Sequence, residues 1–370
     1  MNPPFRAEHI GSLIRPPALL KARAEFAAGR IGAAELRQAE DAAIRGVVAL
    51  QEAVGLNIVT DGEFRRSTYS ESFTASGIKG VEIELTESKG WSASATHGHR
   101  MAQRIPKVVR RLEWAGPRNA NDFRFLKSVT SRTGKVTLPG PAYIHYRAGR
   151  ANISREAYPD LDAFWSDLVA AYRQEMRALR DAGCTYLQID ETSLVKLGDQ
   201  RVRGLLKDRG DDWQDLLRTY CDAINAVVAA APEGMQVGLH ICRSQDRNWQ
   251  AVAGYDAIAD AIFGGLKIGF YFLEYDTDRA GTFEALRAVP QDKIVVLGLV
   301  SSYGPTLETA DALKRRIEEA SRHMPLDRLA LSPQCGFATS AEQDNAVGEA
   351  MQKAKLARIV DVAREVWGSA

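Results

Sequence analysis

Short apolar segments alternate with long amphipathic segments along almost the whole chain, and this alternation constrains the fold more than any other feature. Such βαβα order is typical of a parallel sheet whose strands are connected by helices. Eight such units are enough to close the sheet into a barrel. We therefore predict an α/β fold, a (β/α)8 barrel of the TIM type, that forms one domain over residues 1–370. The eight predicted strands lie in the segments AEHIGS, NIVTDGE, KVTLPGP, TYLQIDE, QVGLHICR, YFLEYD, IVVLGLVSS and RLALSPQCG.

Two of the connecting segments show the helical pattern clearly. One ends at Gly183, a natural C-cap, and another, AELRQAEDAAIRGVVALQEAVGL, ends at Gly55. The exception is the region of residues 80–130, which we interpret as an insertion after the second strand, a hairpin that partly covers the mouth of the barrel. The apolar residues with helical spacing before Gly183 are Leu161, Phe164, Leu168, Ala171, Met176 and Leu179.

The charge balance restricts the partners of the chain. With 48 basic and 47 acidic residues the net charge is +1, which leaves no surplus to bind a nucleic-acid backbone or an anionic membrane surface. A small-molecule partner is therefore expected. The N-terminal sequence lacks the apolar run of a signal peptide, and no apolar stretch approaches the ~20 residues of a membrane span, so we expect a cytoplasmic protein. A homo-oligomer is compatible with the sequence but not decided by it.

Polar side chains that can carry chemistry fall at the carboxyl ends of six predicted strands. In a barrel of this type the active site forms at that end of the strands, so polar residues there indicate function. The six segments therefore predict one shared rim. These residues are Ser12; Asp61 and Glu63; Asp190 and Glu191; His240 and Cys242; Glu274 and Asp276; and Cys335.

His240 and Cys242 stand one residue apart at a strand end, which places both side chains on the same side. Zinc prefers about four ligands drawn from thiolate, imidazole and carboxylate groups, and Glu274 and Cys335 would complete such a set. A single His-x-Cys pattern is weak, and free cysteines are often buried for packing alone. The joint placement of all four residues at strand ends favours a zinc site.

The remaining cysteines and one histidine pair have simpler interpretations. Four cysteines in a chain of this length do not form a disulfide framework. Cys184 precedes a strand and Cys221 lies in a helical stretch, so we interpret both as core thiols. His97 and His99 are candidates for a second metal pair, but no cysteine or carboxylate cluster adjoins them, which favours a polar loop.

Six segments, in the same order, resemble the catalytic domain of the cobalamin-independent methionine synthase family, in particular its short bacterial members with a single barrel. The segments are EHIGSL, TDGEF, QIDE, HICR, FLEYD and LSPQCGF, and the similarity runs from about residue 6 to the C terminus. The resemblance implies a zinc-dependent methyltransferase that moves a methyl group to the thiol of homocysteine and forms methionine. It implies that the zinc ligands are His240, Cys242, Glu274 and Cys335.

The resemblance also implies how an amino-acid substrate is held. The segment Ile10, Gly11 and Ser12 would bind the substrate carboxylate, since a Gly-Ser turn offers N–H groups and a hydroxyl to an anion. Glu63 and Asp190 would bind the substrate ammonium, because ionised carboxylates only accept hydrogen bonds. The alternative for Glu63 is a salt bridge to one of the two arginines that follow it in the sequence.

Two positions depart from the pattern of the family. In the full-length synthases an acidic residue shortly after the QIDE motif contacts the folate, whereas this chain has Lys196 nearby. The proton-donating histidine after the seventh strand is absent, and Tyr303 stands closest to its position, so Tyr303 and a water molecule are the candidate proton donors. The methyl donor is therefore open, with methyltetrahydrofolate as one candidate.

The charge of the predicted ligand set indicates how the metal would act. Two thiolates and one carboxylate bring the formal charge of a zinc site to about zero or below, which makes it a poor Lewis acid toward a carbonyl. Such a site can still bind a substrate thiol as the nucleophilic thiolate. The alternatives are another zinc-dependent thiol alkyltransferase that uses an epoxide or a corrinoid methyl group, hydrolysis by zinc-bound hydroxide, and a purely structural zinc.

Overall fold

The computed structural model describes residues 5–86, 103–243, 254–338, 340–341 and 346–370. Within these ranges the chain forms helices and strands in the alternating order that the sequence predicts. The α-helices are α1 (Pro17–Ala27), α2 (Ala33–Ala53), α3 (Arg118–Ser128), α4 (Tyr143–Ala148), α5 (Asp162–Asp181), α6 (Gln200–Asp208), α7 (Trp213–Ala229), α8 (Ala310–Ser321) and α9 (Gly348–Trp367). The strands are β1 (Ile58–Val59), β2 (Ile78–Thr86), β3 (Gln103–Trp114), β4 (Thr133–Pro139), β5 (Tyr186–Glu191), β6 (Gln236–Ile241), β7 (Phe270–Glu274), β8 (Ile294–Val300) and β9 (Leu329–Pro333).

The main sheet of the described residues is a curled sheet of seven strands in the order β1-β4-β5-β6-β7-β8-β9, and all neighbours are parallel. The prediction of a full strand in the N-terminal segment AEHIGS is wrong, because this segment forms only a single parallel bridge, from Ala7 to Leu331. The physical reason is that side chains take its carbonyl groups. Lys135 Nζ donates to the carbonyl of His9, and Gln188 Nε2 donates to the carbonyl of Ile10. The predicted α/β barrel-type fold is confirmed, with this segment in the eighth position.

The predicted helices α2 and α5 are confirmed. Each is followed by a glycine in the left-handed region, with φ of 94° at Gly55 and 91° at Gly183. This conformation ends a helix at little steric cost only for glycine. The connections after β6 and β7 differ from a regular βα unit, because the described residues there form short 3-10 and π turns at 256–258, 260–264, 278–280 and 283–288.

The insertion contains two antiparallel strands, β2 and β3, outside the main sheet. β3 packs on α5 and on the loop before it: Trp114 Nε1 donates to Glu175 Oε2 of α5 at 2.5 Å, and the Leu112 N–H donates to the hydroxyl of Tyr158 in that loop at 2.6 Å. Residues 87–102, which include His97 and His99, lie outside the described residues. That this segment covers the barrel mouth stays a prediction.

The interior of the sheet separates an apolar layer from a polar one. Side chains alternate along a strand, so residues two apart face the same side. Tyr186 and Phe272 belong to a buried apolar cluster, and the residues four and two positions further along, Asp190 and Glu274, bring carboxylates to the carboxyl end of their strands. This polar end positions the site. No helix among the described residues is long and apolar enough to cross a bilayer.

Candidate metal centre and substrate pocket

Four side chains with metal-binding atoms converge at the carboxyl ends of the strands. His240 lies in β6, Cys242 follows it, Glu274 ends β7, and Cys335 follows β9. One ligand atom from each lies within 4.8 Å of the others, and all four residues are buried. The two sulfur atoms are 3.7 Å apart. The structure thus brings together all four predicted metal ligands.

The backbone around the cluster is fixed by hydrogen bonds from neighbouring strands. The Cys242 N–H donates to the carbonyl of Glu191 at 2.8 Å, so the register of β5 and β6 extends to the first thiol. The Arg243 N–H donates to Glu274 Oε1 at 3.0 Å, and the Glu274 N–H donates to the Tyr255 hydroxyl at 2.9 Å. These contacts hold the donors before any metal binds, which reduces the entropy lost on binding.

The unsatisfied groups in the cluster fit a cation. Neither ring nitrogen of His240 has a hydrogen-bond partner among the described residues, although the ring is buried. Burial and the charge of Cys242 raise the pKa of Glu274 well above its usual value. The hydrogen bond to Cys242, and then burial, raise the pKa of the Cys335 thiol in the same way. Buried donors that destabilise one another's negative charge are stabilised by a bound metal ion, so the residues present fit one.

Glu63 lies beside this cluster in a backbone conformation that is rare for its type. Its φ is 62°, the only positive value at a non-glycine residue in the described chain, and such strain is typical of functional sites. Its Oε1 accepts from Thr137 Oγ1 at 2.7 Å and lies 3.4 Å from Arg66 Nη1. The salt bridge considered from the sequence therefore forms with Arg66. The second oxygen, Oε2, is buried without a hydrogen-bond partner in the described residues, so it can accept from a ligand.

The N-terminal segment also lies beside Glu63 and the Cys335 loop, where it makes two close contacts that involve glycine residues. A Cβ on Gly11, whose φ is 138°, would lie 2.7 Å from Thr137 Cγ2 and 3.4 Å from Glu63 Oε1. A Cβ on Gly336 would lie 1.9 Å from Ser12 Oγ. Only glycine at both positions lets the segment of Ile10, Gly11 and Ser12 contact the carboxylate on one side and the loop of Cys335 on the other.

Asp190 is the second carboxylate predicted to bind the substrate, and it faces the metal cluster. It pairs in register with His240 across β5 and β6. Gln188, two residues earlier on the same face, donates to Asp190 Oδ1 at 2.7 Å. Burial raises the pKa of Asp190 to about 7, while the nearby His240 ring lowers it and the Glu63 charge raises it. A cationic ligand between the two carboxylates would relieve this repulsion.

The Tyr303 phenol and the Lys196 ammonium both interact electrostatically with Glu274 and Cys242 of the cluster. Burial raises the pKa of the Tyr303 phenol, and the charges of Glu274 and of the two thiols raise it further. This makes the phenol a weaker acid than an ordinary tyrosine. Burial lowers the pKa of Lys196 to about 8, while the charge of Cys242 opposes this change.

Comparison with known proteins identifies the family. Residues 5–365 match the family described as "Cobalamin-independent synthase, Catalytic domain". The chain belongs to this family. The chain is 39% identical over 370 residues to the uncharacterized protein YxjG of Bacillus subtilis, covering 99% of this chain and 96% of that protein.

Two further comparisons agree with this family. A solved structure from Listeria monocytogenes, assigned as a vitamin-B12-independent methionine synthase, is 34% identical, with a TM-score of 0.77 and all of both chains covered. The 5-methyltetrahydropteroyltriglutamate--homocysteine methyltransferase of Bacillus velezensis is 27% identical over 319 residues. Those residues are 86% of this chain and 37% of that enzyme.

Two cysteines outside the site were predicted correctly, and three residues around the site were missed. Cys184 and Cys221 are core thiols, as predicted, because both are buried within the hydrophobic cluster. Sequence reasoning missed Thr137, Gln188 and Gly336. The signal for the first two was available, since each is a polar residue inside a strand, at even spacing from a residue at the carboxyl end. Gly336 has no such signal, because its contact with Ser12 depends on chain segments more than 300 residues apart.

Proposed function

We propose that this chain is a zinc-dependent methyltransferase that transfers a methyl group to the thiol of homocysteine and forms methionine. The observation that carries the proposal is the buried convergence of His240, Cys242, Glu274 and Cys335 within 4.8 Å in a member of the cobalamin-independent synthase family. The names of the Bacillus velezensis and Listeria monocytogenes relatives support this reaction. We also propose that residues 1–370 act as one catalytic domain.

The four donors would hold the zinc ion, and zinc with this ligand set holds a substrate thiol as a thiolate near neutral pH. The protein supplies the geometry. The strand ends place the Sγ atoms of Cys242 and Cys335 3.7 Å apart, and the Arg243 N–H holds the Glu274 carboxylate in place. A water-excluding site with rigid donors favours in-line attack on a methyl group, because reacting atoms that are held in line lose less entropy in the transition state.

The amino and carboxyl groups of the substrate have separate partners in this proposal. Glu63 Oε2 and the Asp190 carboxylate would accept hydrogen bonds from the ammonium, and the segment Ile10, Gly11 and Ser12 would bind the carboxylate. The unpartnered Oε2 and the like charges of the two acids support this assignment. An ammonium placed there carries its thiol toward the metal donors, since Asp190 is paired directly with His240.

The leaving group of the methyl donor must take up a proton, and Tyr303 is the candidate residue. Its raised pKa makes it a slow acid, so a water molecule is the alternative donor. The variant Tyr303→Phe separates the two. A fall in kcat of about 10²-fold or more assigns the proton transfer to the phenol. A kcat within about threefold of wild type assigns it to water.

The experiment that tests the proposed function measures metal, thiol binding and product on the same preparation. We expect one zinc per chain, an additional Zn–S contact in X-ray absorption when homocysteine is added, and formation of methionine with a methyl donor present. An unchanged spectrum would identify a structural zinc. Absence of zinc after purification with added zinc salt would contradict the proposal at its first step.

A further inference from the structure

The two acids assigned to the substrate ammonium are each held by a buried polar residue inside the sheet. Thr137 Oγ1 donates to Glu63 Oε1 at 2.7 Å, and Gln188 Nε2 donates to Asp190 Oδ1 at 2.7 Å. Thr137 of β4 and Gln188 of β5 pair in register, so they lie side by side on neighbouring strands. Both side chains are buried. A polar layer of the sheet therefore supports both acids.

The hydrogen-bond direction at Thr137 is set by Arg66. Arg66 Nη1 donates to Thr137 Oγ1 at 2.7 Å, and Nη2 donates to the Thr137 carbonyl at 2.8 Å. A guanidinium only donates, so the Thr137 hydroxyl accepts from Arg66 and its single proton goes to Glu63 Oε1. One oxygen of the carboxylate is thus held by the protein. The other, Oε2, is the oxygen without a partner in the described residues.

The backbone of Glu63 is fixed independently of its side chain. The Glu63 N–H donates to Asp61 Oδ1 at 2.8 Å, and the Glu63 carbonyl accepts from Arg15 Nη2 at 3.0 Å. These contacts hold the residue at its positive φ of 62°. With the backbone fixed, the orientation of the carboxylate depends on the contact of Oε1 with Thr137.

Thr137 also contacts the segment assigned to the substrate carboxylate. Its Cγ2 atom lies 2.7 Å from the position that a Cβ on Gly11 would occupy, so the methyl group packs against the glycine backbone. Gln188 has a similar second contact, because its Nε2 donates to the Ile10 carbonyl at 2.6 Å. The hydroxyl and the methyl of Thr137 therefore contact groups assigned to opposite ends of the amino acid.

We propose that Thr137 is a positioning residue that makes the site selective for thiols with an α-amino group. Its hydroxyl holds Glu63 Oε1, so that Oε2 accepts from the substrate ammonium. This inference rests on the proposed function, because it names the feature of the thiol that the same site selects. Thr137 is not one of the four candidate metal donors, so it acts on the amino group and not on the sulfur.

The substitution Thr137→Val removes the hydroxyl and keeps the branched shape. Arg66 Nη1 already lies 3.4 Å from Glu63 Oε1, so in the variant the guanidinium can pair directly with the carboxylate. This keeps the buried charges paired, which favours folding. The carboxylate is then no longer held in the orientation that leaves Oε2 to the ammonium.

The test measures the binding of two thiols to the zinc-loaded protein by isothermal titration calorimetry. One is homocysteine, and the other is 4-sulfanylbutanoate, which is homocysteine without its amino group. We expect the wild type to bind homocysteine more tightly. In Thr137→Val the dissociation constant of homocysteine should rise by roughly tenfold or more, because a hydrogen bond to a charged group is lost. The dissociation constant of 4-sulfanylbutanoate should stay within about threefold, because it has no ammonium to lose.

Three further variants separate positioning from a general effect on the fold. Thr137→Ser keeps the hydroxyl and should retain the preference for homocysteine. Thr137→Ala lacks the hydroxyl as well as the methyl, so the pair of Ser and Ala variants tests the hydroxyl if Thr137→Val fails to fold. Thr133→Val makes the same change at the first residue of β4 and should leave the binding of both thiols unchanged.

A combined variant tests whether Thr137 acts through Glu63. In a Glu63→Gln background, Thr137→Val should change the dissociation constant of homocysteine by less than about threefold, because residues that act through one contact are not additive. A full additional loss in the double variant would contradict this route.

An unchanged affinity of Thr137→Val for homocysteine overturns the inference, and so does an equal loss for both thiols. Equal affinity of the wild type for the two thiols overturns it as well. If homocysteine still adds a Zn–S contact in these cases, the proposed thiol chemistry stands and only the role of Thr137 fails. If the wild type binds no homocysteine, the proposed function itself fails.

Discussion

Two buried polar clusters lie inside the same sheet, and they differ in whether their atoms have partners. The lower cluster consists of Glu8, Lys135 and Tyr186. In it Lys135 Nζ donates to Glu8 Oε2 at 3.0 Å, and the Tyr186 hydroxyl donates to Glu8 Oε1 at 2.8 Å. The upper cluster, at the carboxyl ends of the strands, consists of the four candidate metal donors and Glu63. In it both ring nitrogens of His240 and one oxygen of Glu63 lack hydrogen-bond partners in the described chain. Buried polar groups are normally satisfied, so the lower cluster fits a structural role, and the upper one fits the ligands proposed above.

The comparison teaches that burial of charge by itself does not indicate function. The side chain of Lys135 is 0% exposed, and burial lowers its pKa while Glu8 raises it. Its partners, however, are all provided by the protein. The upper cluster is equally buried, but part of its bonding capacity is left unused by the described residues and is available to a metal or a substrate.

Loss of a metal ligand should give the largest effect on activity. We expect Cys335→Ser to lose bound zinc and to reduce methionine formation by at least about 10³-fold, because the thiolate substrate would no longer be stabilised. Zinc content by mass spectrometry and turnover with homocysteine measure this. The control is Cys221→Ser, a core thiol outside the cluster, which should keep its zinc. Equal zinc loss in both variants would contradict the assignment of Cys335 as a metal ligand.

Breaking the lower cluster should affect stability and leave the metal in place. Lys135→Met leaves the Glu8 charge buried without its partner, which costs about 3–5 kcal/mol of unfolding free energy. Urea denaturation measures this cost, and zinc content per folded molecule should stay unchanged. The double variant Lys135→Met with Glu8→Leu removes both charges and should recover much of the loss. Zinc loss in the folded single variant would show that the two clusters depend on each other.

Removal of one acid in the upper cluster should affect binding rather than folding. Glu63→Gln removes the negative charge beside the predicted ammonium position, and we expect the KM for homocysteine to rise by roughly 10- to 100-fold. Zinc content should stay the same, because Glu63 is not one of the four donors. Steady-state kinetics at saturating methyl donor measures the change. A change confined to kcat would argue against the assignment of this acid to the ammonium.

Protonation of a third buried polar group, His145, should give the smallest effect, and it extends the comparison to the pH dependence of stability. His145 Nδ1 lies 3.0 Å from the Tyr220 hydroxyl, and burial lowers the pKa of the ring to about 4. The unfolded chain, with a pKa near 6.5, takes up a proton that the folded chain refuses. This contribution to stability is present above pH 6.5 and is lost as the pH falls toward 4.

The wild type should therefore lose about 2 kcal/mol of unfolding free energy through this residue between pH 7 and pH 5. The matched variant is His145→Gln, which cannot take up a proton. Urea denaturation at both pH values should show a smaller loss in the variant than in the wild type. Equal losses in the two proteins would show that His145 does not contribute to acid sensitivity.

Some properties were readable from the sequence because they depend on local periodicity. The helical spacing before Gly55 and Gly183 predicted α2 and α5 correctly. Strand periodicity and the position of strand ends predicted that His240, Cys242, Glu274 and Cys335 converge, although they come from three strands far apart in the chain. The carboxyl ends of parallel strands meet at one edge of a sheet, so strand order along the chain was sufficient for this prediction.

Other properties were decided only by the tertiary structure. The N-terminal segment was predicted as a full strand, but Lys135 and Gln188 take its carbonyl groups, and neither competitor is near it in sequence. The left-handed conformation of Glu63 and the contact between Gly336 and Ser12 are likewise set by packing between distant segments. The sequence by itself determined which residues reach the rim, because that follows from short-range periodicity. The tertiary structure decided which of their atoms remain available to a ligand, because hydrogen-bond partners are chosen by spatial proximity.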